Sequence, residues 1–147
     1  MMKLKNLLFI AILAAGAVGF GLLSRTGATE ANYVLAEKPE IIAATFSSAW
    51  CSSCKILEPR LETVVPDFAD KPVKFVKLDF TLGQRGAVAE KAKREGLGDV
   101  YPQYKGATGF TLLVDADTGE VVDSLTIRHS EKAMRAAIAQ AIATATN

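Results

Sequence analysis

The 147 residues contain two cysteines, one histidine and one tryptophan. With His129 as the lone histidine and no second C-x-x-C pair, the ligand sets of common structural zinc sites cannot be assembled from this chain. Charge of neither sign dominates, with 17 basic residues against 16 acidic ones. No basic stripe interleaved with aromatics is present, which argues against a nucleic-acid surface. Internal repeats and low-complexity blocks are absent as well, so neither a solenoid nor a long disordered tract is expected.

What the chain does have begins with Met1-Met2-Lys3-Leu4-Lys5-Asn6, followed by an uncharged apolar run from Leu7 to Leu23. A short basic segment before such a run reads as an export signal or a membrane anchor, and residues 1–24 are set apart from the fold on that ground. The run of 17 residues is at the lower limit for spanning a bilayer, roughly 17–25 residues. Cleavage and retention both stand open. Lys3 and Lys5 place the N-terminus inside, so the remainder crosses the membrane. In a bacterium that means the periplasm, with the chain anchored in the inner membrane through residues 7–23 if uncleaved. Residues 25–37 form a small, polar tether, and residues 38–147 one ordinary domain long enough to bury its own core. Without Lys3 and Lys5 the basic count falls from 17 to 15 against the 16 acids, a formal charge of −1.

Both cysteines lie in Ser47-Ser48-Ala49-Trp50-Cys51-Ser52-Ser53-Cys54-Lys55. The preceding Ile41 to Phe46 reads as a buried strand, and Ile56 to Val65 as a helix carrying Ile56, Leu57, Leu61, Val64 and Val65 on its apolar side. Pro59 removes one of that helix's backbone bonds, and Pro66 ends it. Two thiols three residues apart at a helix start are close enough to close a small disulfide ring. The free N–H groups and helix dipole favour the Cys51 thiolate, lowering its pKa below the free value of about 8.5. Cys51 is therefore the expected nucleophile. Cys54, one turn inside the helix, is the expected resolving thiol.

Further along, Val73 to Phe80 reads as a strand apolar enough for a central position, and Arg85 to Glu95 as a helix closed by Gly96 and Gly98. Asp99 to Gly109 reads as an irregular segment with Tyr101, Pro102 and Tyr104. Phe110 to Asp115, a turn through Asp117-Thr118-Gly119, and Val121 to Ile127 read as a hairpin. Ser130 then caps a last helix with Met134, Ala137, Ile138, Ala141 and Ile142 on its buried side. This order predicts an α/β domain of three layers, a mixed central sheet flanked by helices.

Trp50-Cys51-Ser52-Ser53-Cys54-Lys55 with Pro59 after it resembles the active-site helix of the thioredoxin family, and the resemblance extends over roughly residues 33 to 144. It implies a thioredoxin-like fold and a thiol–disulfide oxidoreductase acting on exported proteins, with Cys51 and Cys54 catalytic. Around them the resemblance places Trp50 as a shield, Ser52, Ser53, Lys55, Pro59, Phe110 and Thr111. No dissociable cofactor is implied; the partners are protein thiols and disulfides and an unidentified redox partner protein.

Three positions depart from the family pattern. Phe110 stands where thioredoxins carry a cis-proline. A non-proline cis bond costs roughly 2.5–4 kcal/mol, so a trans Gly109-Phe110 bond is expected, with the Phe110 ring covering the sulfurs. Thr45 stands at the family's buried acid, which leaves Lys77 without a partner. Ser52-Ser53 replaces the usual Gly-Pro. Other readings of the cysteines are a structural disulfide and a non-catalytic binding module or copper chaperone, for which Cys51, Cys54 and His129 are the available soft ligands.

Overall fold

The computed structural model describes residues 38–83 and 85–145, so the expected signal or anchor and the tether lie outside the described residues. Strand β1 (Ile41–Ser47) is buried along its whole length. A strand buried on both faces must be central, and β1 pairs in parallel with β2 (Val73–Asp79) on one side and antiparallel with β3 (Phe110–Asp115) on the other. β3 in turn pairs antiparallel with β4 (Val121–Thr126), giving the order β2-β1-β3-β4.

Of the described strands, β2 pairs only with β1, and along it Lys77 and Asp79 alternate with the buried Val76 and Leu78. Helix α1 (Cys54–Val64) and the last helix, which is α4 (Glu131–Ala145), cover one face of the sheet. There Leu57, Leu61 and Val64 of α1 meet Ile41, Ala43 and Leu113 of the sheet and Met134 and Ile138 of α4. Ile56 falls outside that stripe and is exposed. The chain leaves α1 through a 3-10 turn, Val65–Phe68, which contains Pro66 and buries Phe68.

Opposite, α2 (Arg85–Arg94) and the short α3 (Tyr101–Tyr104) cover Ile42, Ala44, Phe46 and Leu112. α3 occupies the segment expected to be irregular. Its Tyr101 is buried, stacks on Phe80 and donates its hydroxyl to the Arg85 carbonyl. Gly96 ends the α2 segment at φ +84°, with Leu97 N–H returning to the Ala92 carbonyl. The described residues have the expected three-layer α/β architecture, a mixed sheet of four described strands between two helical layers. No helix among the described residues is long and apolar enough to cross a membrane.

Candidate active site

Cys51 and Cys54 form a disulfide across the junction between β1 and α1, with Cα atoms 5.3 Å apart. The loop Ser48–Ser53 turns the chain from the carboxyl end of a central strand into the helix, where open α/β sheets place reactive groups. Ser53 stands at the N-cap without a side-chain capping bond. Instead the Cys54 backbone N–H donates to Cys51 Sγ at 3.1 Å, so the first sulfur receives one of the helix's free donors. Cys51 is half-buried and Cys54 is 2 % exposed, its sulfur 3.9 Å from the Phe46 carbonyl oxygen. One sulfur is reachable and the other is not.

Trp50 is 61 % exposed and takes no place in the core. Ser52, Lys55 and Pro59 are exposed and Ser53 half-buried. Thr111 is buried, its hydroxyl paired with that of Thr45 at 2.8 Å. The Thr45 position therefore holds a satisfied hydroxyl pair and no acid.

Phe110 requires a correction. No cis peptide bond occurs among the described residues, so the Gly109-Phe110 bond is trans as expected. The ring, however, does not cover the sulfurs. Side chains alternate along β3, and with Thr111 and Leu113 facing α1, Phe110 and Leu112 face the other way. Its ring stacks on Phe46 at 5.0 Å and meets Tyr104 at 5.9 Å. The residue that approaches the sulfurs is Gly109, at φ +99° with its N–H bonded to the Phe46 carbonyl. A Cβ there would lie 2.8 Å from Ser53 Cβ and 3.3 Å from Cys51 Sγ, so only glycine fits.

Lys77 is also corrected, for it has a partner. Glu58, on α1 four residues after Cys54, takes the Lys77 ammonium at 2.5 Å on Oε2 and the Ser47 hydroxyl on Oε1. Burial works to lower the Lys77 pKa, but the hydrogen bond and charge of Glu58, helped by Asp79 and Glu62, hold it above its ordinary value. Glu58, Ser47 and Gly109 went unread in the sequence. The available signal for Glu58 was its i, i+4 spacing from Cys54, which puts both on one helix face.

Ala49 N–H donates to Thr81 Oγ1, and Thr81 gives both its N–H and its hydroxyl to Asp79 Oδ1. The loop bearing Trp50 is thereby tied to the turn after β2, where Leu82 is 80 % exposed. His129 has a local role, its Nδ1 accepting the Thr126 N–H in the turn before α4. Among the described residues no group of three or more His, Cys, Asp or Glu side chains is placed to hold a metal.

Cys54 is the first residue of α1 and not one turn inside it, because Ser53 is the N-cap and Cys51 precedes the helix. The geometry still permits thiol–disulfide exchange, with an accessible sulfur just before the helix, a protected one at its first residue, and polar groups beside the second. Comparison with known proteins adds the following. The family profile described as Thioredoxin matches residues 25–97. A curated protein named Thioredoxin-2, from Saccharomyces cerevisiae, is 26% identical over 98 residues, 67% of this chain and 89% of its own. Among solved structures, a thioredoxin of Fasciola hepatica is 21% identical, covering 70% of this chain and 82% of its own with a TM-score of 0.45. StoA from Bacillus subtilis is 18% identical over 69% of this chain and 84% of its own, TM-score 0.47. A thioredoxin family thiol:disulfide interchange protein from Chlorobium tepidum TLS is 18% identical over 70% of this chain and 80% of its own, TM-score 0.48.

Proposed function

The chain belongs to the thioredoxin family and is in general terms a thiol–disulfide oxidoreductase, and from that premise we propose that it exchanges disulfides with exported proteins, Cys51 attacking and Cys54 resolving. The observation that carries the reading is the unequal burial of the two sulfurs. A substrate thiol or disulfide can reach half-buried Cys51, while Cys54, at 2 % exposure, is shielded from it and has the Cys51 sulfur beside it. Cys51 forms the mixed disulfide with the substrate, and Cys54 displaces the substrate from it. The electrons come from, or go to, a second dithiol protein, and the reduction potential sets the direction. The basic Lys3 and Lys5 before the apolar run Leu7–Leu23 support a periplasmic site of action, with the run as inner-membrane anchor if uncleaved.

Expression of the full chain with Cys54→Ser in a bacterium that has a periplasm tests this. Exported proteins should accumulate in mixed disulfides on Cys51, and none should form on a Cys51→Ser chain. Complexes formed only through Cys54, or only with cytoplasmic proteins, would overturn the reading.

A further inference from the structure

A buried thiol is a poor nucleophile until it loses its proton, and burial in apolar surroundings raises the cost of ionising it. Cys54 is in that position, and a base within hydrogen-bond reach, or one water away, is what such a group needs. Thr45 on β1 cannot serve, because its hydroxyl is engaged with Thr111 and a hydroxyl is no base at neutral pH. A carboxylate is provided from another element. Glu58 lies one helical turn beyond Cys54 on the same face of α1, with its side chain only 22 % exposed. Its two oxygens are held by Ser47 and Lys77. Ser47 follows directly on Phe46, whose carbonyl lies against the Cys54 sulfur, so consecutive residues of β1 hold the carboxylate and the sulfur.

A cleft of about 390 Å³ is bordered by Cys54, Glu58, Ser47, Ser48 and Lys77. Such a space admits water, and a single water can carry a proton between two groups that border it. The Ser48 hydroxyl, buried at its edge, has no protein partner and is the sort of group an ordered water satisfies. The other charges on this cleft are Lys55 and Glu62 from α1 and Asp79 from β2.

We propose that Glu58 is the proton acceptor for Cys54 during resolution of the mixed disulfide, in the place of an acid on β1; this rests on the exchange reading given above. The Cys54 thiol gives its proton to the Glu58 carboxylate, and the thiolate attacks Cys51 Sγ. The bond between Cys51 and the substrate sulfur breaks, and the substrate leaves as a thiolate with the electron pair. The substrate is reduced by two electrons, the Cys51–Cys54 pair is oxidised by two, and Glu58 returns its proton to the leaving thiolate or to solvent. In the opposite direction the protonated Glu58 donates to the departing Cys54 thiolate.

Stopped-flow reaction of the reduced protein with excess dithiobis(nitrobenzoate) tests this. The first thiolate released reports attack by Cys51 and depends on reagent concentration; the second reports intramolecular resolution by Cys54 and does not. Glu58→Gln should slow the second phase at least about tenfold at neutral pH, against the 10²–10⁴ typical of a general base. The first phase should be unchanged, acetate should restore the second phase of Glu58→Ala, and Glu90→Gln, at an exposed carboxylate on α2 across the sheet, should leave the profile where it is. Lys77→Met, which removes the facing cation, should move the pH limb of the second phase upward. An unaltered second phase in Glu58→Gln, or an unmoved limb in Lys77→Met, would overturn the proposal. A native protein that releases no second equivalent would instead overturn the exchange reading itself, and this assignment with it.

Discussion

Gly109 and Phe110 divide between them what a single proline does elsewhere. Gly109 seats the chain against Cys51 and Ser53 through a left-handed backbone that a side chain would both strain and crowd. Gly109→Ala should cost about 1–3 kcal/mol, read as a lowered urea midpoint of the oxidised protein, and should slow the first attack of Cys51 by displacing its surroundings. Phe110 does its work on the other face of the sheet. Phe110→Ala removes a ring stacked on Phe46 and should destabilise by roughly 3 kcal/mol, the low end for such truncations in a core. Exchange rates of the folded variant should stay within about twofold of native by the same disulfide assay. A ring over the sulfurs would predict the reverse, faster exchange with little loss of stability.

At the scale of elements, the reactive loop is held at both ends. β1 positions its start, α1 its end, and the turn after β2 reaches across through Thr81. Asp79 anchors that turn. The Thr81 hydroxyl, with its backbone N–H, holds the Asp79 carboxyl below its usual range, although burial opposes the shift. A depressed folded-state pKa gives stability that is present above the unfolded value of about 3.9 and lost as pH falls through the folded one. Asp79→Asn should therefore be less stable than native at neutral pH, and the difference in urea midpoint should vanish in strong acid. The order of these elements was legible because β1 and β3 are short continuous apolar runs bounded by turn residues, and α4 carries its apolar residues at a helical period. The short α3 was not, since four residues around Pro102 offer no period to read. In the site the cysteines announced themselves by spacing. Glu58 did not, because its partners Ser47 and Lys77 come from strands 11 and 19 residues away. Only the packing of α1 against β1 and β2 brings the three together.

Among the described residues the domain is two apolar layers, one on each face of a sheet of four described strands, with the disulfide at the end of the inner strand β1. Arg135 of α4 closes one layer from outside, bonding Asp67 at 2.5 Å and the Thr63 carbonyl at the end of α1. A chain lacking residues 1–24 keeps all of these and the whole matched span from residue 25. It should fold cooperatively and exchange disulfides at the native rate, as thermal melting and the same stopped-flow assay would show. Loss of either would place the apolar run inside the domain. The hydroxyl pair of Thr45 and Thr111 bears on how this sheet is assembled. They are direct neighbours on β1 and β3, in a layer otherwise occupied by Ala43 and Leu113. Moving β3 by one residue would turn Thr111 to the opposite face and leave the Thr45 hydroxyl buried with no mate. Apolar strands that could slide past one another with little loss are thus keyed to a single alignment, which also brings Gly109 to the sulfur.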